Sequence, residues 1–167
     1  IRQFAEGVGA NPEKVLKNIL VARAFNSDHQ MLLLDKIAEM IKDGEPIKLV
    51  IIDSLTAHFR AEYGGRGQLA DRQQRLNRYL HNLMRLAETN NLAVYVTNQV
   101  MSDPAQLFGD PTKAIGGNIV GHACTYRMYL RRGKKDSRVC KLIDSPNLPD
   151  NETVFMIETK GLSDVEI

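Results

Sequence analysis

The segment Glu45–Gln74, "EPIKLVIIDSLTAHFRAEYGGRGQLADRQQ", decides how this chain is read. Its apolar run, Leu49 to Ile52, stops at Asp53 and Ser54 and gives way to a stretch of Tyr, Gly and Arg. "KLVIID" is apolar on both faces, which is the pattern of a central parallel strand. In open parallel sheets ligands gather at the carboxyl ends of the strands. An acid there can orient the magnesium of a nucleoside triphosphate through water. An Asp after an apolar run is at least as often a helix cap or a turn residue, so Asp53 alone decides nothing.

Outward from this strand the periods are clear. Arg2 to Gly7 reads as a helix tail, and Pro12 to Asn18 as a short helix capped by Asn11 with Pro at its first position. "ILVARAF", Ile19 to Phe25, reads as a strand. A helix follows with Ser27 or Asp28 as its cap and Leu33, Ile37, Met40 and Ile41 at helical spacing. Residues 69 to 90 predict a long amphipathic helix with Leu69, Leu76, Leu80, Leu83 and Ala87 on one face. "LAVYVTNQV", Leu92 to Val100, is a second buried strand. Strand–helix alternation of this kind implies an α/β fold with a mainly parallel sheet. "TYRMYLRR", "SRVCKLID" and "TVFMIET" then read as an antiparallel meander extending that sheet. With no repeat and no low-complexity linker, residues 1–167 read as a single domain.

Composition narrows the class. The 167 residues are 43% apolar and 25% charged, enough for one real core. No apolar run approaches the roughly 20 residues of a membrane helix. There is no basic-then-apolar leader, and the chain opens on Ile rather than Met. Cys124 and Cys140 are too few for a disulfide framework, lack zinc-ligand companions and read as buried thiols in an intracellular protein. Net charge is only +2 but locally concentrated. From Arg60 to Arg78 five arginines face two acids, and from Arg127 to Arg138 six basic residues face one. Such local excess suits an anionic partner, phosphate backbones above all, although either run alone reads equally as a solvated face.

Three strand ends are polar: Asp53-Ser54, Thr97-Asn98-Gln99 and Asp144-Ser145. Together they favour a nucleotide site, in which a Gln can bond a terminal phosphate without adding charge. Two segments start just after such ends. "RAEYGGRGQ", Arg60 to Gln68, has three glycines and Arg66 at its tip. "MSDPAQLFGDPTKAIGGN", Met101 to Asn118, has no lasting apolar period and ends on Gly116 and Gly117, whose N–H groups suit a phosphate. None of the ten lysines is followed by Ser or Thr, so no GxxxxGK[ST] loop is present, and "GVGANP" does not complete GxGxxG.

In order, "VIIDS", "EYGGRGQLADRQQ", "VTNQV", "AIGGNIVGHA" and "LIDSPNLPDNE" resemble the ATPase core of the RecA-type recombinases, in particular the archaeal RadA branch and its eukaryotic relatives. The resemblance runs over essentially the whole chain. It implies a RecA-like P-loop NTPase core represented by its carboxyl-terminal portion, because in intact members the N-terminal domain, polymerisation linker, P-loop and catalytic glutamate precede the position of Ile1. It implies ATP and Mg2+ as cofactors. Asp53 then resembles the acid that holds magnesium through water, with Ser54 beside it, and Gln99 the sensor of the terminal phosphate. Arg60, Arg66 and Arg72 match the first DNA loop, and Gly116, Gly117 and Asn118 the end of the second. His122 and Asp144 to Pro149 match residues that cover ATP bound to a neighbouring protomer. Ala22, Leu33, Ile37 and Met40 match a pocket for a Phe-x-x-Ala motif of the adjacent subunit. Arg131, Arg132 and Lys134 resemble a basic patch for a second DNA.

The implied function is a DNA-dependent ATPase that forms filaments on single-stranded DNA and promotes homologous pairing and strand exchange in recombinational repair. Its implied partners are single- and double-stranded DNA, further copies in helical filaments or rings, and recombination mediators, with no membrane. Its implied place is cytoplasm or nucleoid in an archaeon and nucleus in a eukaryote. A non-catalytic paralogue or fragment acting as a DNA- or filament-binding module is the alternative. A ring helicase sharing the fold would form hexamers and unwind, and the DNA-loop motifs speak against it.

Overall fold

The computed structural model describes residues 1–102 and 112–165. Its contacts divide the chain into two compact units, Ala22–Ala123 and a second made of Ile1–Val21 with Cys124–Ile167.

The second unit begins with α1 (Arg2–Gly7) and α2 (Pro12–Lys17). Asn11 caps α2 as its sequence implies, its side chain accepting from the N–H groups of Glu13 and Lys14, both at 3.0 Å. Ile19–Phe25 does not form the expected strand. A strand needs a neighbour to take its backbone groups, and no described strand pairs with these residues, leaving Val21 85% exposed.

In Ala22–Ala123, α3 (Ser27–Lys42) is capped one residue earlier than expected, by the Asn26 side chain accepting from His29 N–H at 2.7 Å. Ser27 instead lies buried, its N–H and hydroxyl both donating to the Glu62 carboxylate. Then come β1 (Leu49–Ile52), α4 (Ala57–Glu62), a 3-10 turn (Arg66–Gln68), α5 (Leu69–Asn90) and β2 (Ala93–Val96). β1 and β2 pair in parallel, Leu49 opposite Ala93 through Ile52 opposite Val96. Val50 is buried while Leu49 and Ile51 are exposed, so β1 is covered on one face among the described residues, not on both.

α5 has the expected span and ends where Asn91 turns into the left-handed region at φ 48°. Its buried side is Leu76, Tyr79, Leu80, Leu83 and Leu86. Leu69 is exposed and Ala87 half-buried, so both expectations shift by a fraction of a turn. This side packs with Leu55 and Phe59 as the core of the unit, the Phe59 and Tyr79 rings 5.9 Å apart. Two short strands, β3 (Val100–Ser102) and β4 (Thr112–Ala114), pair antiparallel, and α6 (Gly117–Ala123) follows. The segment Met101–Asn118 is thus structured at both ends, while its stretch 103–111 lies outside the described residues.

The second unit resumes with β5 (Arg127–Arg132), β6 (Arg138–Asp144), β7 (Asn151–Glu158) and β8 (Gly161–Asp164). They form the expected antiparallel meander, one strand longer than read, in the order β5-β6-β7-β8. Parallel pairing is confined to β1 and β2 among the described residues, and the meander makes a four-stranded sheet of its own. The β5–β6 turn carries Lys135 and Asp136 at φ 50° and 61°, the left-handed pair that matches the twist of a tight hairpin. Cys124 and Cys140 are half-buried rather than buried, and burial pushes the Cys124 thiol up against the opposing pull of Arg127. No described helix is long and apolar enough to cross a membrane.

Candidate functional site

Parallel pairing of β1 with β2 brings two of the three polar strand ends together. Register continues past the ladder: Thr97 N–H donates to the Ile52 carbonyl at 3.0 Å and Leu55 N–H to the Thr97 carbonyl at 2.9 Å. The Thr97 hydroxyl donates to Asp53 Oδ1 at 2.6 Å, which fixes the carboxylate of this exposed residue. The Asp53–Ser54 peptide is cis. Ser54 Oγ is buried with no hydrogen-bond partner among the described residues. Gln99 is exposed beside them. An exposed carboxylate, a buried hydroxyl without a described partner and an exposed amide at adjacent strand tips offer groups that can bond a hydrated divalent cation and a phosphate oxygen. These residues fit a magnesium–nucleotide ligand.

The first glycine-rich segment leaves this edge through α4. Arg60 stands exposed in its last turn, so the expected loop Arg60–Gln68 is in fact helix, a short bend at Tyr63–Gly65, and the 3-10 turn that Arg66 opens. Gly65 takes φ 114°, which L side chains rarely adopt. The bend is anchored from both sides. Glu62 is held by Ser27, and Arg75 from α5 donates to the Tyr63 hydroxyl, stacks 5.5 Å from its ring centroid and pairs with Asp28. Arg72 is half-buried one turn earlier on α5. Sequence reading missed the Glu62–Ser27 and Arg75–Tyr63 contacts, because partners 35 and 12 positions apart leave no local signal.

The second segment returns to the same edge. Ile115 N–H donates to the Gln99 carbonyl at 2.9 Å, and Asn98 Nδ2 donates to the Ile115 carbonyl at 2.6 Å. Gly116 (φ 95°) and Gly117 (φ 59°) follow, with Asn118 exposed in α6. His122, also exposed on α6, shares a shallow groove of about 320 Å³ with Asn118 and with Asn77, Leu80, His81 and Met84 of α5. His81 had no role in the sequence reading, and helix packing alone puts it there.

The remaining candidates fall on α3, on the stretch before it and in the meander unit. On α3, Leu33, Ile37 and Met40 are half-buried, and Ala22 is exposed in the unpaired stretch before it. In the meander unit, Asp144 Oδ2 accepts from Arg127 Nε at 3.0 Å and Nη2 at 2.7 Å, so this polar strand end has a cation of its own. Ser145 and Asn147 shape the turn toward Pro149, with Leu148 N–H donating to Ser145 Oγ at 2.9 Å. Arg131 pairs with Glu152 at 2.9 Å, while Arg132 and Lys134 are exposed near the hairpin tip.

A family model described as Rad51 matches residues 1–165. A protein named DNA repair and recombination protein RadA, from Methanocorpusculum labreanum, is 54% identical over 176 aligned positions, which cover 97% of this chain and 54% of that protein. The chain therefore spans about half the length of this curated relative.

Proposed function

The chain belongs to the Rad51 family of RecA-type recombinases, on its archaeal RadA branch, and from that membership we propose that it works in DNA recombination and repair as part of a DNA-dependent ATPase. On this reading it forms filaments on single-stranded DNA and promotes homologous pairing and strand exchange. Asp53 holds a water-coordinated magnesium, with Ser54 alongside, and Gln99 bonds the terminal phosphate. Magnesium, when bound, neutralises charge on the phosphate oxygens. His122 and the Asp144–Pro149 turn cover ATP on a neighbouring protomer. Arg60, Arg66, Arg72, Gly116, Gly117 and Asn118 bind single-stranded DNA, and Arg131, Arg132 and Lys134 a second DNA. Ala22, Leu33, Ile37 and Met40 receive a Phe-x-x-Ala segment of the next subunit. Residues 1–167 act as the carboxyl-terminal portion of one RecA-like core, in an intracellular, nucleoid-associated protein.

One observation carries the reading: the hydrogen-bonded strand tips at Asp53 and Thr97 are also where both glycine-bearing segments start or return. The test is single-stranded DNA binding by the full-length protein. Arg66→Ala and Gly117→Ala should each weaken it, and Arg66→Ala should also lower the salt slope by about 0.7, the share of one phosphate contact on a single strand. Unchanged affinity in both variants would remove the loop assignment.

A non-catalytic DNA- or filament-binding module is the second reading. ATP hydrolysis by the full-length protein on single-stranded DNA separates the two.

A further inference from the structure

We propose that Asn98 is a positioning residue that clamps both candidate DNA segments to the nucleotide edge, so that a shift at Gln99 is transmitted to each of them. The inference rests on the nucleotide-and-DNA reading above. Asn98 stands between Thr97, which bonds Asp53, and Gln99. Its Oδ1 accepts from the Thr56 hydroxyl at 2.7 Å and from Gln99 N–H at 3.0 Å, and its Nδ2 donates to the Ile115 carbonyl at 2.6 Å. These partners fix the amide orientation, because a backbone N–H can only donate and a carbonyl can only accept.

Each partner begins a segment. Thr56, 2% exposed, precedes α4, which carries Arg60 and runs into the Tyr63–Gly65 bend. Ile115, 6% exposed, precedes Gly116 and Gly117. Ile115 is gripped twice, its carbonyl by Asn98 and its N–H by the Gln99 carbonyl at 2.9 Å. Hydrogen bonds of 2.6–2.9 Å weaken steeply when stretched or bent, so Gln99 cannot move appreciably without pulling on Ile115 directly and on Thr56 through Asn98. Both ends are desolvated, so a broken bond leaves a polar group unpaired and the coupling is stiff.

The test uses the full-length protein and a fluorescent oligo-dT strand, with anisotropy titrations in the presence and absence of ATP and Mg2+. The quantity read is the ratio of the two affinities. Asn98→Asp keeps both accepted bonds but sets a carboxylate oxygen against the Ile115 carbonyl. It should shrink the wild-type ratio about tenfold, the size that one buried hydrogen bond allows. Nucleotide-free affinity should stay within about twofold, since phosphate contacts dominate it. Thr56→Val should shrink the ratio too, and Thr56→Ser, which restores the hydroxyl, should recover it. Should Asn98→Asp fail to fold, the Thr56 pair decides on the same criterion. A purely structural role would lower the melting midpoint and both affinities together while leaving the ratio intact, which would overturn the inference alone. A wild-type ratio near one would overturn the underlying reading as well.

Discussion

At Gly116 the backbone dictates the side chain. Its φ is 95°, and an added Cβ would stand 2.4 Å from Val120 Cγ2 and 3.3 Å from Leu76 Cδ2, in the wall between α5 and α6. Gly116→Ala should therefore destabilise the protein by about 1–3 kcal/mol through overpacking, on top of about 1–2 kcal/mol of backbone strain. Gly117 faces open space at φ 59°, so Gly117→Ala carries the strain alone. Urea unfolding of the two variants checks this; equal stabilities would contradict it. Tyr79 gives a second residue-scale outcome. Burial pushes its phenol up to about 12 from 10.0, against a hydrogen bond from Gln30. Between those two values the unfolded chain has released its proton while the folded one keeps it, so stability should fall as pH rises from about 10 to 12. Tyr79→Phe should flatten that fall in a melting series, and an unchanged alkaline slope would contradict it. In the sequence, Thr97 and Asn98 read only as part of a polar strand end, and Gln99 alone as a phosphate contact. Asn98 could not be singled out, because its partners lie 42 and 17 positions away and nothing local announces them.

At the scale of elements, α5 and the meander were legible because each has a sustained period, 3.6 in one and 2 in the other. The period marks a face of α5 but not which fraction of it is covered. That is set by the neighbours of α5, namely α3, α4, α6 and β2, against which Tyr79 and Leu86 are buried while Leu69 stays at the surface. Leu83→Ala, at a 2% exposed position, should cost about 2–5 kcal/mol, whereas Leu69→Ala should cost under about 1 kcal/mol. Denaturant midpoints of the pair test the assignment, and similar losses would refute it. Ile19–Phe25 shows the opposite limit: its apolar, β-branched run is strand-like, yet composition cannot supply a partner strand. The loop Arg60–Gln68 was read too broadly for a related reason. Glycines at 64, 65 and 67 suggested irregular chain throughout, while Glu62 bonding Ser27 lets α4 persist to the edge of the bend.

For the whole molecule, the α/β class and the meeting of two of the three polar strand tips followed from sequence, whereas the division of contacts into Ala22–Ala123 and the meander unit did not. The two basic runs fall on different units, Arg60–Arg78 on the first and Arg127–Arg138 on the second, which suits a protein with two nucleic-acid contacts of separate origin. On the proposed reading, the β1–β2 edge makes DNA binding depend on nucleotide. The most direct measurement is the affinity of the full-length protein for single-stranded DNA with ATP and Mg2+, compared between wild type and Asp53→Asn, an isosteric change that removes the charge proposed to face magnesium. Wild type should bind more tightly with nucleotide than without, and Asp53→Asn should lose most of that gain while keeping its nucleotide-free affinity. An undiminished gain in Asp53→Asn would contradict the account.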